Sequence, residues 1–133
     1  MQHPVFFTRT YDEAMLLMVE ARNYLAFCER RERDRLGAMV GLRMSCEAMR
    51  VTSRLTQVMA WLMMQRAVHT GEVSAEQALA DECRLSGAEV CLDETYARDD
   101  TLPNGLRSLM SRSYLLYVRV ARLEEMMVSR VLH

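Results

Sequence analysis

The residues that break helices are scarce in this chain and fall in few places. Proline occurs only at positions 4 and 103, and glycine only at 37, 41, 71, 87 and 105, which leaves long windows that nothing interrupts. Within those windows apolar residues recur at steps of three and four, the period of one face of an α-helix. The expected fold is therefore all-α: three long helices in a bundle, one short connecting helix, and a single domain over residues 1–133. A chain of 133 residues can bury about two thirds of its unfolded surface, enough for one core.

Thr10-Tyr11-Asp12-Glu13 has the form of a capping box, in which a hydroxyl and a carboxylate three residues on satisfy two free backbone N–H groups, so the first helix is expected to begin there. Its stripe of Ala14, Leu17, Ala21, Tyr24 and Cys28, with Met15, Met18 and Leu25 alongside, dissolves into Glu29-Arg30-Arg31-Glu32-Arg33-Asp34-Arg35. The signs of that run nearly cancel, so it reads as a solvated helix end rather than a nucleic-acid patch. Asp34 can cap a second helix that runs to about Thr70, where Gly71 suits the left-handed conformation that ends helices.

On that second helix Met44, Ala48, Val51, Leu55, Val58 and Leu62 form one expected core face, and Met49, Thr52, Thr56, Met59, Met63 and Ala67 a second beside it. A third stripe, Glu47, Arg50, Arg54, Gln57, Trp61 and Gln65, joins paired charges to the single tryptophan. Ser74-Ala75-Glu76-Gln77 is another capping box, opening a short connector through Ala78, Leu79, Cys83 and Leu85 to Gly87. Residues 87–105 lack sustained periodicity and are expected to cross the surface. Leu106, Leu109, Ser113, Leu116, Val120, Leu123 and Met127 mark the last long helix.

At 1.5 Å per residue these helices would measure about 32, 54 and 40 Å in chain order. The excess length of the central one points to a second subunit, so a homodimer is expected, with Arg50, Arg54, Gln57 and Trp61 as the candidate interface because Trp and Arg are enriched among interface hot spots. Glu47, Glu124 and Glu125 are the candidate structural partners of Arg50 and Arg54, since a guanidinium against apolar surface is costly when unpaired.

The remaining chemistry narrows the function classes. All 17 basic residues are arginine and are balanced by 18 acidic ones, so no global positive field favours nucleic acid. No run of 18 apolar residues exists to span a membrane, and Met1-Gln2-His3-Pro4-Val5-Phe6-Phe7 lacks the form of a signal peptide, which places the expected protein in the cytoplasm. Cys28, Cys46, Cys83 and Cys91 form no Cys-x-x-Cys pair and lie far in sequence from His3, His69 and His133, so free thiols and no metal or other cofactor are expected. No phosphate loop, nucleophile elbow or His-Glu-x-x-His motif is present, which leaves no catalytic residue to nominate. His69 sits next to a helix-ending Thr70-Gly71 and reads as a surface or capping histidine rather than a phosphotransfer site. Two classes remain: a non-enzymatic interaction protein, or a small-ligand-binding or signalling helical module.

The run Ser45-Cys46-Glu47-Ala48-Met49-Arg50-Val51-Thr52-Ser53-Arg54-Leu55-Thr56-Gln57-Val58-Met59-Ala60-Trp61-Leu62, continuing through Gln65-Arg66-Ala67-Val68 to Gly71-Glu72-Val73-Ser74, resembles the RcdA-like family, named for the regulator of CtrA degradation of alphaproteobacteria. Leu102-Pro103 and Ser113-Tyr114-Leu115-Leu116-Tyr117-Val118-Arg119-Val120-Ala121-Arg122-Leu123-Glu124 extend the resemblance, which spans about Tyr11 to Met127. The resemblance implies a dimeric three-helix bundle without catalytic residues. It also implies an adaptor role in regulated proteolysis by ClpXP, with cell-cycle regulatory proteins as partners. The namesake uses a flexible C-terminal tail in that work and this chain stops at His133, so partner docking and cargo delivery are expected to be separable here.

Overall fold

The computed structural model describes residues 4–132, with side chains from Thr8 onward, and among these residues it is all-α. The helices are α1 (Pro4–Phe27), α2 (Glu29–Arg35), α3 (Ala38–His69), α4 (Ala88–Cys91) and α5 (Asn104–Leu132), with two 3₁₀ turns, Gln77–Leu79 and Asp81–Cys83, between α3 and α4. Three of them, α1, α3 and α5, form the bundle. Ion pairs from Glu13 to Arg119 and from Glu20 to Arg112 run α1 antiparallel to α5. Arg54 of α3 reaches Met110 and Ser113 of α5, and Trp61 lies by Glu124 and Met127, so α3 and α5 run parallel. Parallel neighbours cannot be joined by a tight turn, which is why residues 70–103 travel back along the bundle before α5 begins.

The core is built as the periodicity predicts. Ala14, Leu17 and Ala21 of α1, Met44, Ala48, Val51, Leu55, Val58 and Leu62 of α3, and Leu106, Leu109, Ser113, Leu116 and Val120 of α5 are all buried. Each such large aliphatic side chain contributes about 1.5–3 kcal/mol by leaving water. The second face of α3 is corrected. Of its members only Met59 is buried, while Met49 and Met63 are 71% and 57% exposed. The Glu47–Gln65 stripe occupies the second buried side instead, because the return segment and α5 cover it.

Boundaries also move. The helix α1 already runs through Thr10, which is buried in its interior rather than standing at its start, since the helix extends back to Pro4, where a missing N–H is tolerated. The charge run is solvated along most of its length but continues as a helix rather than a turn. Glu29 is buried and accepts two hydrogen bonds from Arg33 at 2.7 Å, and the Tyr24 hydroxyl donates to Glu32 at 2.7 Å, folding α2 back on α1. Gly37, at φ +83°, and not Asp34, precedes α3, because the tight reversal from α2 demands a left-handed residue. At the far end Gly71 has φ +83°, the expected left-handed terminator. The helices therefore measure about 36, 48 and 44 Å for α1, α3 and α5, and the expected excess of the central helix shrinks.

The Ser74 capping box forms in both directions: the Ser74 N–H donates to Gln77 Oε1 at 2.8 Å and the Gln77 N–H to Ser74 Oγ at 3.0 Å. It opens 3₁₀ turns rather than one α-helix. The segment after Gly87 is more than a surface crossing, since Cys91 and Leu102 are anchored in the core. All four cysteines are free thiols.

Candidate functional site

The third stripe of α3 gathers the polar side chains that the sequence singles out, and its geometry is that of a clasp. The helix α4 has four residues and leaves its last carbonyls without intrahelical donors. Arg50 and Arg54, one turn apart on α3, supply them. Arg50 Nη1 donates to the Val90 carbonyl at 2.8 Å, Arg54 Nε to the Cys91 carbonyl at 2.8 Å, and Arg54 Nη2 to the Asp93 carbonyl at 3.0 Å. The same guanidinium ties this end to α5, with Nη1 donating to the Met110 carbonyl at 3.0 Å and to Ser113 Oγ at 3.3 Å. The Tyr114 ring lies 5.2 Å from its centre. Arg54 is 2% exposed and uses the planar fork that only arginine offers.

Charge balance comes from two carboxylates. Glu47, itself buried, accepts from Arg50 Nε at 3.2 and 3.3 Å, and Asp93 lies 3.6 Å from Arg50 Nη1. Burial pushes the Arg54 guanidinium below its ordinary value, Glu47 pulls it back up, and Arg50 pushes it down again. The Cys91 thiol is raised by burial, and Arg54 opposes that rise. The Asp93 carboxyl is held below its ordinary value chiefly by the Thr95 hydroxyl and backbone N–H.

Further along the stripe Gln57 Oε1 accepts from the Ser86 N–H at 3.0 Å and the Ser86 hydroxyl at 2.9 Å. The Tyr117 hydroxyl donates to the Ser86 carbonyl at 2.8 Å, and burial pushes Tyr117 up to about 12. Trp61 is 2% exposed and backs a cleft of about 190 Å³ shared with Ala78, Leu79 and Met127. At its mouth Glu124 accepts from the Leu85 N–H at 2.7 Å and pairs with Arg84 at 3.0 Å. Glu124 thus serves Arg84 rather than Arg50 or Arg54, and Glu125 faces solvent on α5. A second cleft of about 240 Å³ lies beside Arg54, between Glu47, Asp93, Arg98 and Tyr114.

The structure therefore brings Glu47, Arg50, Arg54, Gln57 and Trp61 together against this chain's own return segment. What these residues hold is residues 84–93, fixed to α3 and α5 at once. Sequence reasoning missed the acceptors, because backbone carbonyls have no sequence signature. It also missed the outward side of α3, whose signal was visible: between Arg43 and Arg66 the charged residues are Glu47, Arg50 and Arg54, all turned to the clasp. Among the described residues no cluster of three His, Cys, Asp or Glu side chains is placed to hold a metal ion, and no helix is long and apolar enough to cross a membrane.

The comparisons with known proteins agree with this architecture. No curated protein matches the chain. The crystal structure of RcdA from Caulobacter crescentus CB15 is similar, with 38% sequence identity, a TM-score of 0.74, and coverage of 91% of this chain and 89% of that one. The model of the family described as "Protein of unknown function (DUF1465)" matches residues 1–133. With its whole length matched by that family and more than a third of its residues identical to RcdA, the chain belongs to the RcdA-like, DUF1465 family.

Proposed function

We propose that this chain is a non-enzymatic regulatory interaction protein that acts in the cytoplasm, as a homodimer, as an adaptor for regulated proteolysis by ClpXP in cell-cycle control. The observation that carries this reading is the likeness to RcdA along nearly the whole of both chains. An adaptor needs a rigid frame that presents surfaces to two proteins, and the Arg54 clasp supplies rigidity by fixing the one long connection to two helices. A small-ligand module is the competing reading. The clefts along the stripe, about 190 and 240 Å³, are smaller than the roughly 300–1,000 Å³ typical of small-molecule sites, and the cavity of about 400 Å³ beside Leu25 and Met49 is an open groove rather than an enclosed pocket, which favours a protein partner.

The test is to immobilise the chain and measure binding of the purified unfoldase, the assembled protease and cell-cycle regulators one at a time, with native mass spectrometry of the same preparation. Saturable binding of the unfoldase or of a regulator is expected. A chain that binds none of them but retains a small molecule would overturn the adaptor reading.

A further inference from the structure

The outward side of α3 is exposed yet carries no charge from Met44 to Gln65, about 33 Å of helix, since the charged residues in that span turn toward the return segment. A helix face in water is normally studded with charge. Here Met39, Leu42, Met49 and Met63 are 57–71% exposed, and Met15 and Leu25 of α1 flank them at about 40%. At roughly 100 Å² per large apolar side chain, these six expose about 600 Å², before the small residues between them are counted. A stable interface needs about 800 Å² from each partner.

The spacing along this face selects the partner. Its exposed and half-exposed positions step by four and three through 42, 46, 49, 53, 56, 60 and 63, the seam of a helix that packs lengthwise on another. Along the seam the large side chains Leu42, Met49 and Met63 are separated by the small ones Cys46, Ser53, Thr56 and Ala60. In a parallel pair every residue would meet its own copy, stacking Met49 on Met49 and Ala60 on Ala60, so bulky layers would alternate with voids. In an antiparallel pair with the two-fold axis between Ser53 and Thr56, Met49 meets Ala60 of the partner copy, Cys46 meets Met63, and Ser53 meets Thr56. Each large side chain then fills the space left by a small one, and every contact is repeated by symmetry.

We infer that the outward face of α3 is a self-association surface, on which a second copy of this chain packs antiparallel with Met49 over Ala60 and Met63 over Cys46. This rests on the homodimer reading above and assigns the surface and register that reading lacks. It also moves the interface away from Arg50, Arg54, Gln57 and Trp61, which the chain covers itself.

The test uses light scattering and sedimentation of the full chain and of two variants at exposed positions, Met49→Glu and Ala60→Arg, with circular dichroism to confirm folding. The wild type is expected at twice 15.4 kDa, and each variant at least about tenfold weaker in self-association. Mixing the two variants should restore a dimer, because antiparallel packing sets the introduced carboxylate of one chain against the introduced guanidinium of the other while keeping one native Met49–Ala60 layer. A monomeric wild type would overturn the dimer and this surface together. A dimer indifferent to both substitutions would overturn the surface alone, and failure of the mixture to associate would overturn the antiparallel register. Should Ala60→Arg fold poorly, a short bis-maleimide on the Met63→Cys chain decides the matter: it should join Cys46 of one copy to position 63 of the other, and crosslinks confined to other pairs would refute the register.

Discussion

Replacing Arg54 by Met preserves much of the side-chain volume but removes four donated hydrogen bonds at once. Not all of the acceptors suffer equally. Ser113 Oγ still donates to the Met110 carbonyl at 3.2 Å, so the loss falls on the carbonyls of Cys91 and Asp93 at the end of α4. A buried acceptor left unpaired costs about 1–3 kcal/mol, which applies in full to the Cys91 carbonyl and in part to the half-buried Asp93 carbonyl. Glu47 in addition keeps only Arg50 as a close cation, and removing one member of a buried charge group costs about 3–5 kcal/mol in other proteins. Water entering beside α4 relieves part of this, so about 3 kcal/mol is expected. For a chain of this length that is a fall in Tm of about 10 °C. Arg54→Lys, which keeps the charge near Glu47 but not the fork, should recover about half of the loss. Chemical unfolding read by the tryptophan and by circular dichroism measures the total, and hydrogen exchange at residues 88–93 shows whether the clasp opens first. A variant within about 1 kcal/mol of the wild type, with unchanged exchange in that segment, would refute the idea that Arg54 holds the return segment.

Tyr117→Phe removes the bond to the Ser86 carbonyl and should cost about 1 kcal/mol in the same unfolding assay. Because Tyr117 is raised from 10.0 to about 12 in the folded chain, its unfolded form sheds the proton first, so stability should fall as pH rises from 10 toward 12 in a thermal titration, and the Phe variant should lack that component. On the acid side the Arg112 hydrogen bond holds Glu20 below 4.5, and the Thr95 and Thr101 hydroxyls hold Asp93 and Asp99 below 3.8. These groups favour the fold above those values, and their contribution should be lost as pH falls through and below them. The Glu20–Arg112 pair is exposed, so Glu20→Gln should cost less than about 1 kcal/mol and less still in high salt. Gly37→Ala places a side chain at φ +83° and should cost about 1–2 kcal/mol, and Gly41→Ala sets its methyl 2.9 Å from Arg33 Cγ, near the root of a side chain held by Glu29, and should cost about 1–3 kcal/mol in denaturant titration.

The three long helices were legible because their core positions recur with the helical period, and Met44, Val58, Leu116 and Val120 are buried where that period puts them. Apolarity misled at Met49 and Met63 because a three-helix bundle gives α3 only two covered sides, and the polar stripe took the second of them. Burial of Arg54 depends on partners 37 to 59 residues away across an aperiodic segment, a distance over which local pattern carries no information. The two capping boxes show the same limit. Ser74 follows a terminated helix and caps the next turn, while Thr10 lies inside a window already helical from Pro4, away from any helix start. The family was legible from the residues of α3 and α5, the two helices joined by the clasp.

The most direct test of the adaptor reading is the rate at which reconstituted ClpXP degrades purified cell-cycle regulators with and without this chain, with ATP hydrolysis by the unfoldase followed in parallel. Saturable acceleration of particular substrates at unchanged basal ATP turnover is the expected result. Degradation rates indifferent to the chain for every regulator tested, in preparations where it is folded and binds neither protease nor regulator, would contradict it.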